Sequence, residues 1–124
     1  MLYDHVDLRV TELGNVRGLY DALLPAMGFA QLEEDGANVN YRCDSNDHTQ
    51  SFFGLMTDPL HRPNGTRLAF RAASRDDVDR LTEIALAAGA RSLEGPENYG
   101  RSARYYAAFF EDADGNKLEI CFRQ

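Results

Sequence analysis

Apolar residues recur along this chain in two rhythms, and the same pair of rhythms occurs twice. Val6, Leu8 and Val10 alternate with His5, Asp7 and Arg9, as a half-buried strand requires, because successive side chains of a strand point to opposite faces. The spacing then lengthens, and Val16, Leu19, Tyr20, Leu23 and Leu24 follow the i, i+3, i+4 pattern of one helix face. Later in the chain Leu68, Phe70 and Ala72 alternate with Arg67, Ala69 and Arg71, and Val78, Leu81, Ile84, Ala85 and Ala88 take up the helical spacing again. Residues 5–24 thus match residues 67–86 at an offset of 62, half of the 124-residue chain. Self-similarity on this scale predicts two copies of one supersecondary unit.

The punctuation agrees. Ser74 with Asp77 three residues on has the form of a capping box and starts the second helix; Thr11 or Asn15 is the candidate start of the first. Pro25 is expected to kink or end the first helix near its last turn, and Gly28 and Gly89 stand where a left-handed residue would close each helix. Strand material follows near 29–35, 38–44 and 50–56, and again near 90–94, 103–111 and 117–123. Asp35-Gly36 and Asp112-Ala113-Asp114-Gly115-Asn116 supply turns rich in residues that tolerate positive φ. Residues 58–65 hold two prolines and a glycine and read as a short linker. The expected fold is therefore α+β: two tandem βαβββ modules, about 1–57 and 66–124, in a single domain spanning 1–124. Their strands form a curved mixed sheet around a cleft, with the helices outside and the loop at 95–102 over the cleft's mouth.

Composition narrows the partners. A net charge of −7 without any Lys/Arg run argues against nucleic acid. No apolar run is long enough to span a bilayer, and MLYDHVDLRV lacks the features of an export signal, so the expected location is the cytoplasm. Cys43 and Cys121 lack metal or redox spacing and are expected to be buried free thiols. Of thirteen basic residues only Lys117 is lysine, so cationic chemistry here means arginine and its forked contacts with oxyanions.

Four stretches carry a resemblance across the whole chain: His-Val-x-Leu-x-Val from His5, Tyr20–Phe29, Arg67–Ala72, and Tyr105–Ile120 with its Asp-x-Asp-Gly-Asn-x-x-Glu ending at Glu119. They resemble the vicinal oxygen chelate superfamily of glyoxalases, bleomycin-resistance proteins, extradiol dioxygenases and fosfomycin-resistance enzymes. The resemblance implies a small-molecule site, a homodimer, and a divalent metal (Mn, Ni, Zn or Fe) serving lyase, isomerase or dioxygenase chemistry. Position by position it implies His5 as the first-strand metal ligand and Glu119 as the last-strand ligand and catalytic carboxylate. The third ligand position is Arg67, whose guanidinium stays protonated and has no lone pair to offer.

Two readings follow. In one, His5 and Glu119 hold a metal with help from waters or from His61 or His48. In the other, an Arg67–Glu119 ion pair replaces the metal in a drug-sequestering or otherwise metal-free protein, and an anionic ligand competes for the arginine. Strand alternation places Tyr105, Ala107, Phe109 and Cys121 on the pocket side with Glu119, leaving Tyr106, Ala108 and Phe110 for the helix. Substrate-binding candidates are Arg67, Tyr105, Phe109 and Phe53, with Phe52 and Tyr41 comparable to the last.

Overall fold

A computed structural model of the chain describes residues 2–44, 46–100 and 103–124. The chain forms two compact units that divide between Arg62 and Pro63, inside the segment expected to link the modules. In the first unit the order is β1 (His5–Val10), α1 (Leu13–Ala26), β2 (Gln31–Glu34), β3 (Asn38–Arg42) and β4 (Phe52–Thr57). In the second it is β5 (Arg67–Arg71), α2 (Arg75–Ala87), β6 (Arg91–Asn98), β7 (Tyr105–Glu111) and β8 (Lys117–Arg123). Each unit is thus βαβββ, and each holds one four-stranded mixed sheet, ordered β1-β4-β3-β2 or β5-β8-β7-β6. The first and last strands of a unit pair in parallel and the remaining neighbours antiparallel. No helix of the described residues is long and apolar enough to cross a membrane.

Both helices end as their sequences predict. Gly28 (φ 95°) and Gly89 (φ 108°) take the left-handed conformation that costs glycine no Cβ clash. Phe29 N–H then donates to Leu24 C=O and Ala90 N–H to Ala85 C=O, closing a Schellman motif on each helix. Ser74 Oγ accepts from Asp77 N–H at 3.0 Å, and the Asp77 carboxylate accepts from Ala73 N–H at 3.2 Å, so the second helix is capped as expected. The first begins without a side-chain cap: Glu12 stands at the N-cap, so neither Thr11 nor Asn15 does the work expected of it. Pro25 lies inside the last turn, where its missing N–H removes one bond, and the helix continues to Ala26.

Each helix covers one face of its own sheet. In the first unit Val16, Leu19, Tyr20, Leu23 and Leu24 are buried with Val10, Val39, Tyr41, Phe53 and Leu55; in the second, Val78, Leu81 and Ala85 are buried with Phe110, Leu118 and Ile120. Burying each large aliphatic side chain contributes about 1.5–3 kcal/mol. Cys121 is buried as expected, but Cys43 is exposed, because it follows the last residue of β3 where the chain leaves the sheet.

The largest departure is β6. It runs to Asn98, well past the expected end at 94, so the first half of the expected 95–102 loop is strand; Arg101 and Ser102 lie outside the described residues. Gly-Pro reads as a breaker, yet β6 is an edge strand, where a proline can turn its missing N–H away from the ladder. Register shifts between Arg91 and Glu94 and between Glu94 and Glu97 absorb the irregular backbone.

Tyr41 is fully buried, and its hydroxyl donates to Asp21 Oδ1 of α1 at 2.7 Å. Asp21 is also paired with Arg17 at 2.9 Å, so the phenol locks sheet to helix through a charged acceptor. Tyr41→Phe is expected to cost about 1.5–3 kcal/mol, read as a fall in the urea midpoint at unchanged m-value.

Candidate functional site

The face of each sheet turned away from its helix carries the chemistry. In the second unit its placement begins at the hairpin between β7 and β8. Asp112 is buried, and its Oδ1 accepts from Asp114 N–H at 2.9 Å and Asn116 N–H at 3.0 Å while Gly115 takes φ 91°. That turn sets the register: Phe109 opposes Glu119, Ala107 opposes Cys121 and Tyr105 opposes Arg123. On the other flank of β8, Ala69 opposes Glu119 and Arg67 opposes Lys117. Glu119 therefore sits at the middle of the sheet's open face, as alternation predicts, with Arg67, Phe109 and Cys121 around it and Tyr105 further along the same face, opposite Arg123.

Glu119 is only 6% exposed, and its Oε2 accepts no hydrogen bond among the described residues. Burial raises its pKa above the ordinary 4.5, opposed by the charge of Arg67, a hydrogen bond from the Cys121 thiol and the charge of Arg123. The Cys121 thiol is pushed up in turn, chiefly by burial and then by the neighbouring carboxylate. A half-buried aromatic group completes the face: Arg123 lies over the Tyr105 ring at 4.1 Å, and Tyr99 meets Phe109 edge-on with centroids 4.9 Å apart.

Arg67 does not form the expected ion pair. Its guanidinium lies over the Phe109 ring, 4.6 Å from the centroid, and no carboxylate of the described residues comes within ion-pair distance of it. Because β8 lies between β5 and β7, and neighbouring strands are about 4.8 Å apart, the side chain must cross β8 beside Glu119 to reach that ring. Phe109 offers the cation an aromatic face to rest on, while burial disfavours the charged form of Glu119.

In the first unit His5 lies on the open face of β1, in register with Phe52. Its ring stacks on Phe52 at 4.6 Å, and Arg42 lies over the same phenyl at 4.0 Å with Glu33 as its ion-pair partner. His5 Nδ1 is 2.7 Å from Asp4 Oδ1 and Nε2 is 3.4 Å from Asp7 Oδ2. With carboxylates at both nitrogens the imidazolium is favoured, and the pKa rises above 6.5, the hydrogen bond His5 donates to Asp4 contributing most. Phe53 is a correction: it is 6% exposed and stacks on Tyr20 of the helix, centroids 5.6 Å apart. It shares the parity of Leu55, so it belongs to the core with Tyr41, and Phe52 is the aromatic on the open face. Opposite Asp7 and Asn40 stands Gly54, where a Cβ would lie 2.7 Å from Asn40 Oδ1 and 2.8 Å from Asp7 Oδ1.

Tyr99 is the residue that sequence reasoning passed over. It stood in an expected loop, where alternation has no meaning; the signal was Gly95 four residues earlier. Gly95 takes φ 82°, and a Cβ there would lie 2.6 Å from Ala107 C=O and 2.9 Å from the Tyr99 hydroxyl, so only glycine lets the phenol lie against the sheet.

Two outcomes follow from these charges. A carboxyl whose folded pKa is raised binds its proton more tightly when folded, so its contribution to stability falls as pH rises from 4.5 through the folded value. Glu119→Gln is therefore expected to stabilise the protein at pH 7 by about 0.5–2 kcal/mol and to flatten that part of the pH–stability curve, measured by urea unfolding. For His5 the raised pKa gives stability that is fully present below 6.5 and is lost as pH rises through the folded value. Proton NMR of the His5 ring should show a midpoint above 6.5, brought down when Asp4 and Asp7 are both changed to asparagine.

A sequence model of the glyoxalase/bleomycin resistance protein/dioxygenase superfamily matches residues 3–120. A glyoxalase/bleomycin resistance protein from Albidiferax ferrireducens T118 shares 28% identity, with a TM-score of 0.81 over all of both chains. The fosfomycin resistance protein FosX from Mesorhizobium loti shares the fold at 14% identity and a TM-score of 0.69, over 100% of this chain and 92% of its own. The uncharacterised protein YqjT of Bacillus subtilis (strain 168) is 26% identical over 94% of each chain. With a family match over nearly its whole length and the tandem βαβββ fold in place, the chain belongs to the glyoxalase/bleomycin resistance protein/dioxygenase superfamily, as its motifs implied.

Proposed function

We propose that this protein is a metal-independent, small-molecule-binding member of its superfamily, in which Glu119 holds or moves a proton for a ligand on the open face of the second sheet. The observation that carries this reading is the state of Glu119: nine-tenths buried, raised in pKa, and with Oε2 unpartnered among the described residues. A carboxyl raised by burial and left with a free acceptor oxygen is suited to hold or pass a proton at a ligand.

The residues at the implied ligand positions do not fit a divalent metal. Glu119 qualifies, Arg67 has no lone pair, and both nitrogens of His5 face carboxylates that favour its protonated form. A histidine binds a metal only as the neutral imidazole, so binding at His5 would compete with the proton that Asp4 and Asp7 favour. Within neither unit do three His, Cys, Asp or Glu side chains of the described residues gather as ligands would.

Without a metal, the work falls to the residues on the face. Arg67 supplies fixed positive charge, Phe109, Tyr99 and Tyr105 supply apolar surface, and Glu119 accepts or returns the proton. Lyase or isomerase steps that begin with proton transfer are within reach of that set. Sequestration without turnover needs only the aromatic surface and the same polar groups.

Protein purified without chelator or a metal-binding tag is expected to carry metal well below one equivalent. Mn, Ni, Zn and Fe(II) should leave its melting temperature unchanged, since a ligand that binds the folded state must raise it. Arg67→His is expected to gain a metal-dependent rise. Stoichiometric metal in the unsubstituted protein would overturn the reading.

A further inference from the structure

We infer that the ligand of this face is a small monocarboxylate bearing a hydroxyl group, its carboxylate received by the Arg67 guanidinium and its hydroxyl donating to Glu119 Oε2. The inference rests on the proposed Glu119 site and adds the chemical class of what binds there.

Three features on the second sheet carry it. The first is that Arg67 is held but not neutralised. Phe109 fixes the guanidinium 4.6 Å above its ring, Tyr99 braces Phe109 edge-on, and no carboxylate of the described residues pairs with the cation. A planar fork with its N–H groups unspent and its position set by stacking is pre-organised for an oxyanion.

The second feature is the acceptor beside it. Arg67 crosses β8 next to Glu119 and acts on it through space, yet the two do not join in an ion pair. A buried carboxylate oxygen without a donor carries a desolvation cost that a hydroxyl placed there would relieve. One ligand with an acceptor group at one end and a donor at the other satisfies both residues at once. Ala69 and Ala107, opposing Glu119 and Cys121, keep the floor between them low.

The third feature sets the charge of the ligand. Lys117 pairs with Glu111 at 3.6 Å, Arg123 lies over Tyr105 at 4.1 Å and Arg71 stands opposite Cys121, so Arg67 is the stacked cation that reaches across β8 beside Glu119 toward Phe109. Glu94, Glu97 and Glu119 all act electrostatically on Tyr99 at the same edge. With these carboxylates at the edge where Arg67 meets Phe109, a second negative charge on the ligand is disfavoured, so a monoanion suits the place better than a dianion.

The test uses the full chain with 15N-labelled arginine and 13C-labelled glutamate, following Arg67 Nε and Glu119 Cδ by NMR. Four probes are titrated: glycolate, acetate, ethylene glycol and inorganic phosphate. Glycolate should shift both signals with one saturable curve, acetate should shift Arg67 with at least fivefold weaker affinity, and phosphate should bind more weakly than glycolate. Arg67→Met, at an exposed position that leaves the core intact, should weaken glycolate at least tenfold, with Arg67→Lys between the two. Equal glycolate affinity in the wild type and Arg67→Met, or tighter phosphate than glycolate, overturns the inference. If ethylene glycol shifts Glu119 alike in both proteins while glycolate gains nothing over it, the Glu119 site stands and the ligand class falls. If no probe moves Glu119, both fall.

Discussion

Each unit is built on the same constraint: one helix can dry only one face of a four-stranded sheet. The apolar stripe of each helix packs against every second residue of the strands beneath it, and the intervening residues are left to find another environment. In a small protein those residues are normally solvated and charged. Here the middle of the second sheet's open face holds a carboxylate that is nine-tenths buried, and the middle of the first holds a glycine. The helix-side packing makes the two units alike; the open faces make them different.

The register lets the two faces be compared position by position. Gly54 and Glu119 both occupy the central strand, opposite Asp7 and Asn40 in one unit and Ala69 and Phe109 in the other. Where the central residue lacks a side chain, its neighbours are polar and lean over it; where the central residue is a glutamate, its neighbours are an alanine and an aromatic ring. The polar group has moved from the flanks to the centre. His5 and Arg67 correspond in the same way, both nitrogen-bearing side chains resting on phenyl rings, Phe52 for one and Phe109 for the other. Stacking on an aromatic ring leaves a cation's hydrogen-bonding edge available, but Asp4 and Asp7 have taken that edge from His5 and nothing among the described residues has taken it from Arg67. That contrast is why the proposed ligand site lies on the second unit.

Much of this was legible in the sequence because alternation and turn chemistry are local. The Asp112–Asn116 hairpin fixes a register that can be counted outward by hand, and counting puts Tyr105, Phe109, Glu119 and Cys121 on one face. What failed had a physical reason in each case. Phe52 and Phe53 are adjacent aromatics, and only parity with Leu55 and His5 separates the core residue from the surface one. Gly95-Pro96 signals a break, and whether it breaks a strand depends on being at a sheet edge, which is tertiary information; Tyr99 was lost with it. The missing Arg67–Glu119 ion pair was not foreseeable, because opposite charges predict attraction while desolvation of the carboxylate and the pull of Phe109 work against it.

On the proposed reading, an arginine at the position where the resemblance implies a ligand also limits the chemistry the face can support. A metal brings a charge of two and a directed bond, but its donors must be deprotonated, so its occupancy competes with protons at every ligand. Guanidinium brings one charge, keeps it at any working pH, and directs it through planar N–H groups. Such a group stabilises a carboxylate or a developing oxyanion well when it is held in place beforehand, because no reorganisation is needed when the charge arrives. It offers no vacant orbital for oxygen or for a pair of vicinal oxygens. Arg67 over Phe109 therefore fits binding and proton transfer, where a fixed charge suffices, better than ring cleavage, which needs coordination.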